Sequence, residues 1–103
     1  MTILRDYQNR PIRLTDERLA HILLHPEMVG MEPAIIETIK HPNLVRKSKS
    51  DDAINLLYRF YNQTTVGDKW LCVVVKYLPT DAFIITAYFT DKPKKGVDVW
   101  PSR

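Results

Sequence analysis

The sequence predicts an α+β domain with two N-terminal helices packed on one face of a four-stranded antiparallel β-sheet. Two observations predict it. Apolar residues recur at helical spacing as far as Lys40 and at every second position from Leu44 onward. The links between the later segments, "SDD", "NQTTVGD" and "LPTD", are short and polar, which favours neighbouring strands in a meander. Helices followed by strands are expected to lie together on one side of the sheet. A chain of 103 residues reads as a single domain. Its core is expected over about residues 12–92, with an irregular tail over 93–103 in which Trp100 folds back onto the domain.

Pro11, Ile12 and Leu14 read as an extended lead-in. Thr15 is a suitable N-cap for a helix opening with Asp16, Glu17 and Arg18, although Arg18 stands where a capping box would place Glu or Gln. Leu19, Ile22 and Leu23 form its apolar stripe, and the helix should stop before Pro26. A second helix is expected from Glu32 or Pro33 to about Lys40, with Ile35, Ile36 and Ile39 recurring on one side. His41–Asn43 ends it.

Four strands follow, at Leu44–Lys49, Ala53–Tyr61, Trp70–Tyr77 and Ala82–Thr90. Successive side chains point to opposite faces, so each strand should offer one apolar set to the helices. The expected core sets are Ile54, Leu56, Tyr58 and Phe60; Leu71, Val73 and Val75; and Phe83, Ile85, Ala87 and Phe89. The first strand is ambiguous, with Leu44, Arg46 and Ser48 on one face and Val45 and Lys47 on the other. Away from the helices the pattern then gathers Arg59, Lys76, Thr86, Tyr88 and Thr90, joined by Arg46 and Ser48 if Val45 is the core residue.

Composition bounds the function. The net charge of +3 permits an acidic partner such as nucleic acid without requiring one. Two local basic clusters, Val45–Lys49 and Asp91–Gly96, matter more, because they can converge on one face. The single cysteine, Cys72, fits a small buried hydrophobe in a reducing compartment. No apolar run approaches the ~20 residues that span a bilayer. A cytoplasmic, soluble protein is the expectation, with no nucleotide cofactor and no membrane partner. Cations and hydroxyls grouped with aromatic rings on a sheet face suit a strand of phosphates and stacking bases; the plainer alternative is the wet side of an amphipathic sheet.

His21 and His25 share one side of the first helix, but the intervening "ILL" lacks the Glu of a zinc-protease helix, and no further ligands cluster in the sequence. No metal is expected. His21 lies nearly opposite the apolar stripe, exposed as an acid–base group needs to be. His25, before Pro26, suits a helix C-terminus.

The phrases "LTDERLAHILLHPEM", "IIETIKHPNLVRKSKSD", "LLYRFYN", "WLCVVVKYL" and "FIITAYFTDKPKKG" resemble phage-type members of the barnase–EndoU–colicin–RelE (BECR) superfamily of small ribonucleases, over roughly Ile12 to Gly96. The resemblance implies helices on a four-stranded antiparallel sheet and metal-independent RNA cleavage by attack of the ribose 2′-hydroxyl on the adjacent phosphorus. It implies His21 as the acid–base group, with Lys76, Thr86 and Tyr88 completing the catalytic set. Arg46, Ser48, Arg59, Thr90 and Lys92 would hold RNA. An unperturbed Tyr, with a pKa of about 10, is a poor acid unless a cation lowers it.

Three functions are therefore expected to compete. One is an endoribonuclease, in one version a toxin with an antitoxin or immunity protein as partner. Another is an RNA- or protein-binding module that does not cleave. The last is a metal-dependent hydrolase using His21 and His25.

Overall fold

The computed structural model describes residues 1–101. Its elements in chain order are β1 (Thr2–Arg5), β2 (Pro11–Leu14), α1 (Asp16–Leu23), a 3₁₀ turn at Pro26–Met28, α2 (Glu32–Lys40), β3 (Leu44–Lys47), β4 (Ile54–Thr64), β5 (Gly67–Leu78), β6 (Asp81–Thr90) and β7 (Val97–Trp100). Among the described residues these strands form one seven-stranded sheet in the order β1-β2-β6-β5-β4-β3-β7. The pairing of β2 with β6 is parallel, and the other pairings are antiparallel.

A four-stranded, purely antiparallel sheet is thus not what forms. The three extra strands have four residues each. Four residues give too little alternation to separate a short edge strand from a loop, so tertiary pairing defines them. β7 falls inside the stretch expected to be an irregular tail; residues 102–103 of that stretch lie outside the described residues.

Both helices form for local reasons. The Thr15 hydroxyl accepts from the Arg18 backbone N–H at 3.2 Å, capping α1. In α2, Pro33 occupies the first turn, where its missing N–H costs no helical hydrogen bond. Ile22 of α1, Met28, and Ile35 and Ile39 of α2 are buried against Leu57, Val73, Val75, Ile84 and Ala87 of the sheet. Full burial of such an aliphatic chain is worth about 1.5–3 kcal/mol. This contact fixes which face of each strand looks toward the helices.

The face assignment holds on β5, fails on β4, and on β6 holds only after a bulge, where Ala87 and Phe89 pack on the helix side. Leu71, Val73 and Val75 meet the helices, while Trp70, Cys72 and Val74 lie on the other, open face. On β4 it is Leu57 that meets the helices, and Ile54, Leu56 and Tyr58 take the open face, the reverse of the expectation. Both sets on this strand are apolar at their centre, so alternation alone does not choose between them. On β6, Val74 pairs with Thr86 but Val75 pairs with Ile84, which leaves Ile85 as an extra residue. This bulge reverses the facing of everything before it. Ala82 and Ile84 are therefore core residues, whereas Phe83 stands opposite Lys76 with the Arg13 guanidinium 5.4 Å from its ring centre. On β3, Val45 is wholly buried with the helices, which puts Arg46 and Ser48 on the open face.

The two ends of the chain close the sheet. In the β1–β2 turn, Asp6 Oδ1 accepts from the backbone N–H groups of Gln8 and Arg10 at 2.8 Å each, and Oδ2 accepts from the Tyr77 hydroxyl at 2.8 Å. The neighbouring Tyr7 meets Trp100 of β7 with ring centres 5.4 Å apart. Elements from opposite edges touch, so the sheet curls around its helices. After β6, residues 91–96 cross the open face of β5, β4 and β3 to start β7, forming a diagonal strap.

A candidate polyanion-binding groove on the open face

The strap is tied down by specific bonds. The Lys94 backbone N–H donates to the Tyr58 hydroxyl at 3.1 Å. The Arg46 guanidinium donates to the Lys94 carbonyl and to Asp98 Oδ1, both at 2.8 Å. At Gly96 a side chain would meet the Lys47 carbonyl oxygen at 2.7 Å, so only glycine lets the strap lie this close to β3.

Beside the strap runs a groove of about 460 Å³. Ile54, Leu56, Val74 and Tyr88 give it an apolar floor, and Thr86, Ser48 and Ser50 bring hydroxyls. Lys49, Lys94 and Lys95 contribute three exposed cations. One comes from the first basic cluster of the sequence and two from the second, so the clusters converge here. The Ser48 and Ser50 hydroxyls lie 3.1 Å apart. The Lys94 ammonium stands 5.7 Å from the centre of the Tyr88 ring, a cation–π contact.

Beneath the strap, Tyr58, Cys72 and Tyr88 form a cluster whose protons are held firmly. Burial pushes Tyr58 up to about 12 and Cys72 up to about 11, and raises Tyr88 as well, with the neighbouring Cys72 adding to the rise in both tyrosines. All three are neutral at pH 7. Tyr88 therefore offers a hydroxyl for orientation; the cation over its ring does not turn it into an acid.

The residues singled out from sequence separate into three groups. Ser48, Thr86 and Tyr88 line the groove. Arg46, Lys76, Thr90 and Lys92 are on or next to the same face but have other contacts. Arg46 anchors the strap. Lys76 Nζ lies 3.6 Å from Asp51 Oδ2. The Thr90 hydroxyl donates to the Lys92 carbonyl at 3.1 Å, and Lys92 itself is exposed on the strap.

His21 and Arg59 belong to the other side. His21 is exposed on α1, whose Ile22 packs into the helix-side core, so the sheet stands between it and Lys76, Thr86 and Tyr88. Arg59 reaches α2, donating to Glu37 Oε1 at 3.2 Å and to the His41 carbonyl at 2.5 Å. Its expected place on the open face followed from the reversed β4 assignment.

Sequence reasoning missed Lys49, Ser50, Lys94 and Lys95 as individual site residues. The available signal was the pair of basic clusters; the crossover that joins them leaves no periodic trace. Among the described residues, no group of three or more His, Cys, Asp or Glu side chains gathers as a metal site would require, and no helix is long and apolar enough to cross a membrane. No protein-family description, curated protein or solved structure matches the chain.

Proposed function

We propose that this chain is a metal-independent endoribonuclease that binds single-stranded RNA on its open sheet face. The observation that carries the reading is the groove itself: Lys49, Lys94 and Lys95 surround an apolar floor and the hydroxyls of Ser48, Thr86 and Tyr88. Cations attract the phosphates, and apolar and aromatic surface accepts the bases. The resemblance of its phrases to those of phage-type BECR ribonucleases points to the same activity.

In the proposed reaction the ribose 2′-hydroxyl gives up its proton and its oxygen bonds to the adjacent phosphorus. The bond from phosphorus to the 5′-oxygen breaks, and that oxygen takes up a proton. The products are a 2′,3′-cyclic phosphate and a 5′-hydroxyl. Negative charge grows on the non-bridging oxygens, where preorganised cations and donors act most strongly. Lys94 and Lys95 meet that charge, while Thr86, Tyr88 and Ser48 orient the phosphate. Lys76, 3.6 Å from Asp51 Oδ2 on the same face but outside the groove lining, adds a further cation for that charge. A reducing, cytoplasmic setting accords with the single buried thiol of Cys72.

A second reading, an RNA-binding module without cleavage, is favoured by one observation. The expected acid–base histidine, His21, is on the far side of the sheet, and Tyr88 holds its proton.

One experiment separates the two. A 5′-labelled RNA oligonucleotide is incubated with the protein in EDTA and its products are analysed by mass spectrometry. Cyclic-phosphate ends, lost at positions carrying 2′-deoxyribose, are expected. Retarded mobility with intact RNA selects the binding module. Intact RNA of unchanged mobility overturns both readings of the open face.

A further inference from the structure

A second feature of the open face lies outside the groove. Phe60 of β4 and Trp70 of β5 are direct cross-strand partners, with ring centres 5.3 Å apart in an edge-to-face arrangement. They stay accessible, Phe60 being 42% exposed and Trp70 partly so. Two adjoining rings that keep part of their faces in water offer a flat apolar surface on which another ring can stack. The surrounding charge says what carries that ring. Thr90, opposite Trp70 on β6, leads into the strap, where Lys92, Lys94 and Lys95 outnumber the one carboxylate, Asp91, which is paired with Lys69.

We propose that the Phe60–Trp70 pair is a base-stacking platform, a second subsite for the RNA strand whose phosphate is held at the groove. The proposal rests on the open face being an RNA surface and adds where the strand continues. Trp70 precedes the groove residue Val74 by four positions on β5, a separation of about 14 Å at ~3.4 Å per residue. A short oligonucleotide bridges that distance and a mononucleotide does not. Stacking tolerates any base, so the platform contributes affinity and register with little sequence preference.

The test compares two probes that resist cleavage, a 2′-O-methyl tetranucleotide and adenosine 3′,5′-bisphosphate, by calorimetry. Trp70→Leu and Phe60→Leu are each expected to weaken the tetranucleotide roughly 5- to 100-fold and leave the bisphosphate unchanged. Trp70→Phe, which keeps an aromatic face, is expected to retain most of the tetranucleotide affinity, and circular dichroism checks that each variant is folded. Lys94→Ala weakens both probes. If the Leu variants bind the tetranucleotide like the unsubstituted protein while Lys94→Ala does not, the platform is refuted and the groove stands. If the unsubstituted protein binds neither probe, the RNA reading itself fails and takes the platform with it. A concentration-dependent dimer in sedimentation, dissolved by Trp70→Leu, assigns the rings to a second copy of the chain and also overturns the proposal.

Discussion

The backbone N–H of Lys94 donates to the hydroxyl of Tyr58 at 3.1 Å, joining the strap to a residue wholly buried in the open face. Tyr58→Phe removes the acceptor and leaves the ring. A net loss of about 0.5–1.5 kcal/mol is expected in urea unfolding. Limited proteolysis should accelerate within residues 91–96. Unchanged stability with an unchanged cleavage rate would mean the strap is held without this bond.

Gly96→Ala tests how tightly the strap lies. Its new methyl would stand 2.7 Å from the Lys47 backbone oxygen, and backbone yields less readily than a side-chain tip. Overpacking of this kind costs about 1–3 kcal/mol. Because Lys47 pairs with Val97, amide exchange should also quicken along β7, where a merely local adjustment would leave it protected.

Cys72 should behave as an inert thiol in the folded protein. Its pKa is raised to about 11, chiefly by burial, so it carries almost no thiolate near pH 8. Labelling by a disulfide reagent is expected to be slow, and faster in Tyr58→Phe, where the strap opens more often. The sign of the pH effect follows from the raised value. The neutral thiol's contribution is complete below the unfolded value of about 8.5 and is lost as pH climbs through the folded one. Cys72→Ala should flatten the decline in stability between about pH 9 and pH 11.

The helix side makes a prediction of opposite sign. Hydrogen bonding from Tyr61, at 2.6 Å, and the nearby Arg59 hold the Glu37 carboxyl below its usual range. Such a group contributes fully above its unfolded pKa and loses its contribution as pH falls through the folded value. The stability gap between the unsubstituted protein and Glu37→Gln should therefore close on acidification. Arg59→Ala should reduce stability while leaving RNA affinity intact, in contrast to Lys94→Ala in the groove.

Salt dependence reads the groove directly. Removing one cation that neutralises a phosphate of a single strand should lower the slope of log K against log salt by about 0.7. Lys94→Ala and Lys95→Ala should each do so, and Arg18→Ala, on exposed α1, should not. Equal slopes for all three would place the polyanion elsewhere.

What could be read from the sequence followed from how much each segment commits to one pattern. Thr15, Pro26, Pro33 and the Ile35–Ile39 spacing define two helices locally, and both form where expected. The β5 assignment succeeds because Lys76 marks one set, although Trp70, Cys72 and Val74 of that set are as apolar as Leu71, Val73 and Val75. β4 has no such contrast at its centre, since Leu56 and Leu57 are neighbours pointing opposite ways. On β6 the single extra residue, Ile85, exchanges Phe83 for Ile84 in the core, and alternation carries no mark of a bulge. The groove was legible in part: Thr86 and Tyr88 sit on the long strand β6 and Ser48 just beyond the end of β3, while Lys94 and Lys95 reach it through a crossover that only the assembled sheet defines. The distance between His21 and the open face is likewise a property of layering, which helix periodicity does not contain.

The crossover also sets an order of assembly. β3 receives its outer neighbour from residues 97–100, which follow every other strand in the chain. While the protein is being synthesised, Tyr58 and Cys72 are uncovered, and the two lysines that complete the groove have not yet come to rest. A nascent chain halted before Lys94 is thus left with β3 as an uncapped edge and with Lys49 as the single lysine of the groove's three.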